Sequence, residues 1–342
     1  MSSFGLDIGA TSMKLVWLQK QRGVPVFKSS LLTVTPAKGM YSESPADQAL
    51  MSQAIQKIVV DAKITTKNVN VALPENQVFT KVIEMPELSE KELASAIFWE
   101  AEQHIPAPLN TISLDYKIIR KGLSNEVNPK MQVLLVGAPL SLIKRYQQIL
   151  ELTGLTISAV ETEIISVIRA LVPSTSTIVT LVVNMGALST SLAILQNGVV
   201  VFTYSIPMGG LAMDRAISAN FGFTLAQAEE YKRTYGIADQ SLGGKITKAI
   251  EPILMTILTE VKKALAYYSD KYKNDTPISQ ILLTGGSALL PGIDVFFVTN
   301  TNIETSIGNP WKTAAVTNVP PELMEQGPRF TVAVGLALRN DE

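Results

Sequence analysis

The amino-acid sequence predicts an α/β fold made of two similar lobes, with a small α+β insert in the first lobe. Three observations support this prediction: strand-like and helix-like apolar patterns alternate along the chain, one strand–turn–strand motif occurs twice, and 342 residues are enough for about two domains. Hydrophobic residues make up 46% of the chain and charged residues 17%, so an ordered globular protein is expected.

The beginning of the chain predicts three strands, at residues 4–7, 14–19 and 26–34, joined by turns that contain glycine. Apolar residues with helical spacing then predict a core-facing helix at 46–62. A short apolar stretch at 70–73 predicts a further strand, so strands and helices alternate from the start.

The α+β insert is predicted to follow these elements. Ser89 and Glu92 have the spacing of a capping box and predict a helix start, while Pro106 and Pro108 predict its end. The other elements predicted for the insert are strands at 114–120 and 132–139, a polar turn at 124–130 between them, and a helix at 141–153.

The second half of the chain predicts the same alternation. The apolar stretch 178–202 is interrupted by polar residues and therefore predicts a pair of strands rather than a membrane-spanning helix. The remaining predicted elements are helices at 163–171, 225–235, 245–273 and 330–339 and a strand at 280–283. The predicted domain limits are 1–82 and 159–176 for the first lobe, 83–158 for the insert, 177–327 for the second lobe and 328–342 for a closing helix.

Charge and amino-acid usage exclude several classes of function. The 29 basic and 30 acidic side chains nearly cancel and no dense basic cluster occurs, so nucleic acid is not expected as a partner. The chain has no cysteine, which excludes disulfides and thiolate metal sites and fits the cytoplasm. The N-terminal segment lacks the basic flank and apolar core of a signal peptide, and no direct insertion into a membrane is expected.

The strongest functional signal is the motif that occurs twice. Residues 6–12 read LDIGATS and residues 183–189 read VNMGALS, each between two apolar strands. Such a hairpin turn exposes backbone N–H groups and hydroxyls that can bind phosphate oxygens, so two facing copies would hold a polyphosphate. Lys14 lies on the outgoing strand of the first copy and could reach the phosphates. A single motif is equally typical of an ordinary tight turn, and Lys14 could be an exposed strand lysine.

A third motif is the stretch ILLTGGSALLPG at residues 281–292, an apolar strand that runs into Gly285 and Gly286. Glycine allows the closest approach of a ligand to the backbone, so a nucleoside could lie against this pair. A simple strand-to-helix turn is the alternative interpretation.

The three motifs, in this order, resemble the phosphate and adenosine motifs of the superfamily of actin, sugar kinases and FtsA. The insert resembles the extra subdomain of FtsA-type proteins. The stretches 159–163 (AVETE), 202–210 (FTYSIPMGG) and 308–311 (GNPW) are similar to the PilM family. The resemblance implies a two-lobed, FtsA-like actin fold that binds ATP and Mg²⁺ in the cleft between its lobes.

The resemblance also implies roles for individual residues. Asp7 would hold Mg²⁺ through water, and Glu163 would orient the attacking water, although a carboxylate stabilised by the helix dipole has the same position. Gly209 and Gly210 would contact the terminal phosphate through their N–H groups. The full set implied to bind the cofactor is Asp7, Gly9, Ala10, Thr11, Ser12, Lys14, Asn184, Gly186, Ser189, Gly209, Gly210, Glu229, Lys232, Gly285, Gly286 and Ser287, with Asp7 as the metal ligand and Glu163 as the catalytic residue.

Three of these residues, Glu229, Lys232 and Asn184, depart from a simple match to the superfamily or have a second interpretation. Glu229 and Lys232 resemble the pair that contacts adenosine in FtsA, but an exposed helical ion pair has the same spacing. Asn184 stands where the superfamily usually has an acidic residue. Because an amide binds Mg²⁺ more weakly than a carboxylate and cannot act as a base, slow ATP hydrolysis or none is expected.

The PilM family binds the cytoplasmic N-terminal peptide of PilN, an inner-membrane protein of the type IV pilus machine. The resemblance therefore implies a cytoplasmic protein at the inner membrane, with a PilN-like partner bound in a groove between the first lobe and the insert. Other platform components and homo-oligomers are compatible with it. The alternatives are an FtsA-like filament former, which usually has a C-terminal amphipathic helix that this sequence does not show, and a small-molecule kinase, which needs an aspartate base.

Structural roles are predicted for three other conspicuous residues. Trp99 and Trp311 are expected to be aromatic residues of the core or of a subdomain interface. His104 is the only histidine and is expected to cap or pack the end of its helix.

Overall fold

Two five-stranded sheets with the same strand order form the centre of the protein. The computed structural model describes residues 3–121, 129–238, 244–273 and 275–339. The strands are β1 (Phe4–Ile8), β2 (Ser12–Gln21), β3 (Val24–Val34), β4 (Asn68–Leu73), β5 (Phe79–Pro86), β6 (Ile112–Arg120), β7 (Lys130–Pro139), β8 (Thr156–Thr162), β9 (Thr180–Met185), β10 (Thr190–Gln196), β11 (Val199–Ile206), β12 (Gln280–Thr284) and β13 (Glu304–Ile307). The helices are α1 (Pro45–Asp61), α2 (Glu90–His104), α3 (Leu140–Leu152), α4 (Glu163–Leu171), α5 (Gly210–Phe221), α6 (Leu225–Tyr235), α7 (Lys245–Lys271), α8 (Ile293–Thr301), α9 (Pro310–Thr313), α10 (Pro321–Glu325) and α11 (Gly327–Leu338).

The two lobes repeat one topology. The first sheet has the order β3-β2-β1-β4-β8 and the second has the order β11-β10-β9-β12-β13. In each, the first three strands pair antiparallel and the last two continue in parallel. The duplicated motif therefore occupies the same turn of each sheet, between β1 and β2 and between β9 and β10. The prediction of two similar α/β lobes is confirmed.

Each lobe has its own hydrophobic core. In the first lobe, Phe4 and Leu6 of β1 pack with Ile55 of α1 and Tyr146 of α3. In the second lobe, β9, β10 and β12 pack against α5 and the long helix α7. Burial of these apolar faces stabilises the fold by roughly 25 cal/mol for each Å² removed from water.

The insert contains a three-stranded antiparallel sheet with the order β5-β7-β6. Helix α2 covers one face of this sheet through Leu93, Ile97 and Ala101. Ser89 caps α2 and forms the predicted capping box with Glu92. The other face packs where the lobes meet, because Val82 and Leu134 share a cluster with residues of α4 and β10.

The domain limits stay a prediction, and the packing favours a shorter insert than 83–158. The insert sheet begins with β5 and ends with β7, whereas α3 packs on α1 and β8 belongs to the first sheet. We therefore propose 79–139 for the insert.

Polar contacts join the insert to the second lobe. Lys271, the last residue of α7, lies 2.9 Å from the carboxylate of Glu84 on β5. Gln132 on β7 donates a hydrogen bond to the hydroxyl of Tyr272 at 3.0 Å, and Thr203 on β11 donates to the carbonyl of Thr80 at 2.7 Å. The insert is thus fixed to both lobes.

Several elements differ from the sequence-based predictions. The stretch 178–202 contributes to three strands instead of two, and β5, β8, β13, α5 and α8 were not predicted. Edge strand β8 is only partly buried and lacks a clear apolar alternation, and α5 begins at Gly210, which reads as a turn. Most of the predicted turn at 124–130 lies outside the described residues.

The two tryptophans with predicted structural roles differ in their burial. Trp311 is fully buried between Phe27 and Phe330, and its indole N–H donates to the carbonyl of Leu323 at 2.9 Å. Trp99 on α2 is 72% exposed. The prediction that it packs in a core or at a subdomain interface is therefore wrong. His104 ends α2 as expected.

Helix α11 closes the first lobe by packing on β1, β2 and α4. The buried carboxylate of Glu161 pairs with Arg169 on α4 and with Arg339 just after α11. Across the described residues, no helix is long and apolar enough to span a membrane.

Candidate functional site

A cleft of about 700 Å³ lies between the two lobes. Both copies of the duplicated turn line it, together with the start of α4, the glycine pair after β12, and parts of α5 and α6. Every residue of the predicted site lines this cleft except Gly209. Residues that are far apart in the sequence are therefore brought into one cavity.

The two turns have the same backbone geometry. The N–H of Gly9 donates to the carbonyl of Ser12 at 3.2 Å, and the N–H of Gly186 donates to that of Ser189 at 2.9 Å. A Cβ at Gly9 would lie 2.9 Å from the carbonyl oxygen of Ser12, closer than real Cβ atoms approach, and a Cβ at Gly186 would lie 3.0 Å from that of Ser189, which is unusually tight. The tight closure therefore requires glycine in the first turn and favours it in the second, and the residues of both turns line the cleft.

Lys14 and Asp7 form an ion pair on the first-lobe wall. They are register partners on β2 and β1, and Lys14 Nζ lies 3.1 Å from Asp7 Oδ2 and 3.3 Å from the carbonyl of Ser12. Both side chains are largely buried. The ammonium of Lys14 thus stands beside the first turn, where an anion in the cleft would compete with Asp7 for it.

Asn184 takes the position of Asp7 in the second lobe. It is buried at the end of β9, and its register partner on β10 is Ser191, where the first lobe has Lys14. The second turn therefore has neither the carboxylate nor the ammonium of the first.

Gly285 brings the end of β12 against β9. Its φ is +86°, and a Cβ there would lie 2.5 Å from the carbonyl oxygen of Met185 and 2.8 Å from Asn184 Oδ1. Only glycine fits this conformation and this approach. A Cβ at Gly286 would meet no described atom within 4 Å, so this residue faces open space in the cleft.

Gly210 differs from its predicted role, whereas the predicted phosphate contact of the Gly209 N–H stays a prediction. The N–H of Gly210 donates to the carbonyl of Gly186 at 2.9 Å, and that of Leu211 donates to Ala187 at 2.9 Å. The amide of Gly210 is therefore already used to hold α5 against the second turn and is not free to contact a phosphate. A Cβ at Gly209 would lie 2.5 Å from the Gly186 carbonyl, so this glycine serves the same close packing.

Asp214 is a cleft residue that the sequence interpretation missed. Its carboxylate lies 2.7 Å from Lys232 Nζ, and Lys232 also donates to the carbonyl of Gly210 at 3.2 Å. Burial raises the pKa of Asp214, while Lys232 opposes this shift. The signal that could have predicted Asp214 is its position as an acidic residue near the start of α5, the helix that begins at the Gly209–Gly210 pair. Glu229 lines the cleft close to this pair.

Glu163 lines the cleft at the start of α4, and the buried carboxyl group of Glu75 lies next to it. The carboxyl of Glu75 accepts the N–H of Ile164 at 3.2 Å, and the carboxyl of Glu163 accepts the N–H of Glu75. Burial raises the pKa of Glu163 to about 8, helped by the charges of Asp7 and Glu75 and opposed by Lys14. Burial also raises the pKa of Glu75 to about 7, against the Ile164 hydrogen bond. Glu75 was not predicted, because it contacts Glu163 only through the fold.

These pKa values predict how stability depends on pH. The unfolded chain loses the Glu163 proton near pH 4.5, whereas the folded protein keeps it until about pH 8. Folding therefore binds a proton in this window, and the free energy of unfolding should fall as pH rises through it, by up to about 1.4 kcal/mol per pH unit.

Glu163→Gln removes this contribution. We expect its free energy of unfolding, measured with urea between about pH 5 and about pH 8, to fall less steeply than that of the wild type. The exposed residue Glu304 provides a control, since Glu304→Gln should keep the wild-type slope. Equal slopes for the wild type and Glu163→Gln would contradict the assignment.

The cleft offers few protein ligands for a metal ion. Within the described residues, no three His, Asp or Glu side chains come together as a metal site. Mg²⁺ in nucleotide sites is commonly held by one or two carboxylates and by the phosphates, which is compatible with Asp7 as a single acidic contact.

Known proteins resemble the chain over nearly its whole length. Residues 5–341 match the family described as type IV pilus assembly protein PilM. The solved structure named as the PilM-PilN type IV pilus biogenesis complex is 28% identical, has a TM-score of 0.86, and is matched over 100% of this chain and 99% of that chain.

Two further matches belong to other actin-like proteins. Cell division protein FtsA of Streptococcus pneumoniae serotype 2 (strain D39) is 22% identical over 329 residues, which cover 84% of this chain and 71% of FtsA. MreB 5 of Spiroplasma citri, solved with bound AMPPNP, is 14% identical, has a TM-score of 0.53, and is matched over 97% of this chain and 93% of that chain. The predicted two-lobed, FtsA-like actin fold is confirmed.

Proposed function

Because the chain belongs to the family of type IV pilus assembly proteins PilM, we propose that it is an ATP-binding protein of the inner-membrane platform of such a pilus. In this proposal it binds the cytoplasmic N-terminal peptide of a PilN-like membrane protein and hydrolyses ATP slowly or not at all. Its attachment to the membrane is then provided by this partner.

The observation that carries the nucleotide proposal is the pair of matching glycine turns in one cleft. The volume of about 700 Å³ lies within the range of roughly 300–1,000 Å³ that is typical of ligand pockets. Lys14 supplies a cation at the first turn, and Gly286 faces open space in the cleft, which residues of α6 also line. MreB 5, which has this fold, was solved with an ATP analogue.

The residues fit ATP with Mg²⁺ in the following way. Gly9, Ala10, Thr11 and Ser12 would surround the phosphates from one side and Gly186 and Ser189 from the other. Lys14 would exchange its contact with Asp7 for one with a phosphate, which frees Asp7 to hold water on the metal. Bound Mg²⁺ would neutralise charge on the phosphates.

Slow hydrolysis is proposed because Asn184 cannot act as a base. Asn184→Asp is expected to raise phosphate release on the order of tenfold or more, since it restores a carboxylate at the end of β9. The double variant Asn184→Asp with Glu163→Gln should return to the wild-type rate if Glu163 orients the water. No increase for Asn184→Asp in a phosphate-release assay would contradict this explanation.

The partner proposal rests on the similarity to the PilM-PilN complex over the full length of both chains. It is tested by titrating this protein into a fluorescently labelled peptide with the N-terminal sequence of the PilN-like protein from the same organism. We expect saturable binding to this peptide and none to a scrambled peptide of equal composition. Equal binding of both peptides would contradict the partner proposal.

The kinase alternative requires a free aspartate base. Asp214 is the acidic residue in the cleft that the sequence interpretation had not found, but it is tied to Lys232 in an ion pair of 2.7 Å. This contact disfavours a role as base. A filament former would be recognised by sedimentation in the presence of ATP.

A further inference from the structure

A buried threonine just after β3 holds the first glycine turn in place. Thr35 is 5% exposed, and its hydroxyl donates a hydrogen bond to the carbonyl of Gly9 at 2.7 Å. Its backbone N–H donates to the carbonyl of Thr11 at 3.1 Å. One residue therefore binds two carbonyl groups of the turn. Thr35 was not predicted as a site residue, because only the pairing of β2 with β3 brings it to the turn.

The second turn is held at the matching glycine. The carbonyl of Gly186 accepts the N–H of Gly210 at 2.9 Å, and Gly210 follows β11 as Thr35 follows β3. The glycine carbonyl is thus bound in both lobes by a donor that comes after the third strand of the sheet. The donor is a side-chain hydroxyl in the first lobe and a backbone N–H in the second. A substitution can remove only the hydroxyl.

The contact with Thr35 sets the direction of an N–H group in the first turn. The Gly9 carbonyl and the Ala10 N–H belong to one peptide unit, and the described part of the chain has no cis peptide bond. In a planar trans unit these two groups point in opposite directions. Because the carbonyl is bound to Thr35, the N–H of Ala10 points away from Thr35. Ala10 lines the cleft, so this N–H has a fixed direction at the cleft wall.

The side chain of Thr35 is itself restricted in orientation. A Cβ at Gly39 would lie 3.3 Å from Cγ2 of Thr35, so the methyl group of Thr35 lies beside Gly39. A β-branched side chain has few favourable χ1 angles, and the packed methyl group limits them further. The hydroxyl therefore stays directed at the Gly9 carbonyl.

We propose that Thr35 is a positioning residue for nucleotide binding, which keeps the N–H of Ala10 directed at a phosphate oxygen by holding the Gly9 carbonyl. The proposal rests on the proposed binding of ATP in the cleft. Backbone N–H groups bind anions when their directions are fixed in advance. A turn without the Thr35 hydroxyl adopts other orientations as well, and the measured affinity falls with the fraction of molecules that can bind.

Three variants separate the hydroxyl from the rest of the side chain. Thr35→Val replaces the hydroxyl by a methyl group of similar size and keeps the backbone contact to Thr11. Thr35→Ser keeps the hydroxyl and loses the methyl group. Thr33→Val is the matched control, because it makes the same chemical change on β3 at a residue that does not line the cleft.

Binding of ATP and of adenosine to each protein is measured by calorimetry. We expect Thr35→Val to bind ATP roughly tenfold more weakly than the wild type, as when about a tenth of the molecules hold the turn in the binding orientation. Thr35→Ser and Thr33→Val should remain within roughly threefold of the wild type. Adenosine has no phosphate, so it should bind the wild type and Thr35→Val equally.

The possible failures of the two proposals can be told apart. Wild-type affinity of Thr35→Val for ATP overturns the role of Thr35 and leaves the ATP proposal intact, whereas no binding of ATP by the wild type overturns both. An equal loss of affinity for adenosine would mean that Thr35 only stabilises the lobe, and it also overturns the positioning role.

A further measurement needs no variant and therefore does not depend on the folding of one. The amide proton of Ala10, observed by NMR in the isotope-labelled wild type, should shift when ADP is added, because it gains a phosphate oxygen as hydrogen-bond acceptor. Binding of ADP without a shift of this signal overturns the proposal.

Discussion

Gly335→Ala is expected to destabilise the protein by about 3 kcal/mol, although alanine in place of glycine normally stabilises a helix. Gly335 lies in α11, where the helix crosses α4. A Cβ at this position would lie 1.9 Å from the carbonyl oxygen of Ser166, a backbone atom that cannot rotate away. The two helices would have to separate, and the Arg169 contact to the Gly335 carbonyl at 3.0 Å would be disturbed.

The measurement is the free energy of unfolding from urea titration without nucleotide. Gly286→Ala is the matched control, because a Cβ there meets no described atom within 4 Å and no backbone strain is added. Unchanged or higher stability of Gly335→Ala would show that α11 does not pack as closely on α4 as described.

Lys14→Met is expected to weaken ATP binding roughly a hundredfold. Two effects combine: a charge-assisted contact to a phosphate is lost, and the carboxylate of Asp7, no longer neutralised by the ammonium 3.1 Å away, repels the phosphates. Methionine keeps the length and most of the packing of the lysine side chain, so the loss reports on charge.

The affinity of each protein for ATP is compared by calorimetry. Lys28→Met on β3 is a suitable control, since Lys28 is exposed and does not line the cleft. Wild-type affinity for Lys14→Met would mean that the nucleotide does not contact Lys14, and the proposed arrangement of phosphates at the first turn would have to be abandoned.

The main elements and the location of the site could be predicted from short-range patterns. The LDIGATS and VNMGALS stretches are local hairpin motifs, and their glycines are required by contacts within the turn itself. Glu163 begins α4 as predicted, and the glycine pair follows β12. These features depend on residues close in sequence, so their pattern is visible without the fold.

What could not be predicted depends on contacts between distant segments. The ion pair of Asp214 and Lys232 joins two helices, and the contact of Glu75 with the start of α4 joins two ends of parallel strands. The hydrogen bond of Gly210 to Gly186 arises only when α5 packs on the second turn. The pattern of α2 shows its apolar face but not that Trp99 points away from it.

ATP is proposed to bind in the cleft with Mg²⁺ held at Asp7. The most direct test of this proposal is calorimetry of ATP with wild type and Asp7→Ala, each in Mg²⁺ and in EDTA, with Asp61→Ala as a surface control. We expect the wild type and Asp61→Ala to bind ATP more tightly with Mg²⁺ than with EDTA, and Asp7→Ala to lose this difference. No binding by the wild type, or an unchanged Mg²⁺ effect in Asp7→Ala, would contradict it.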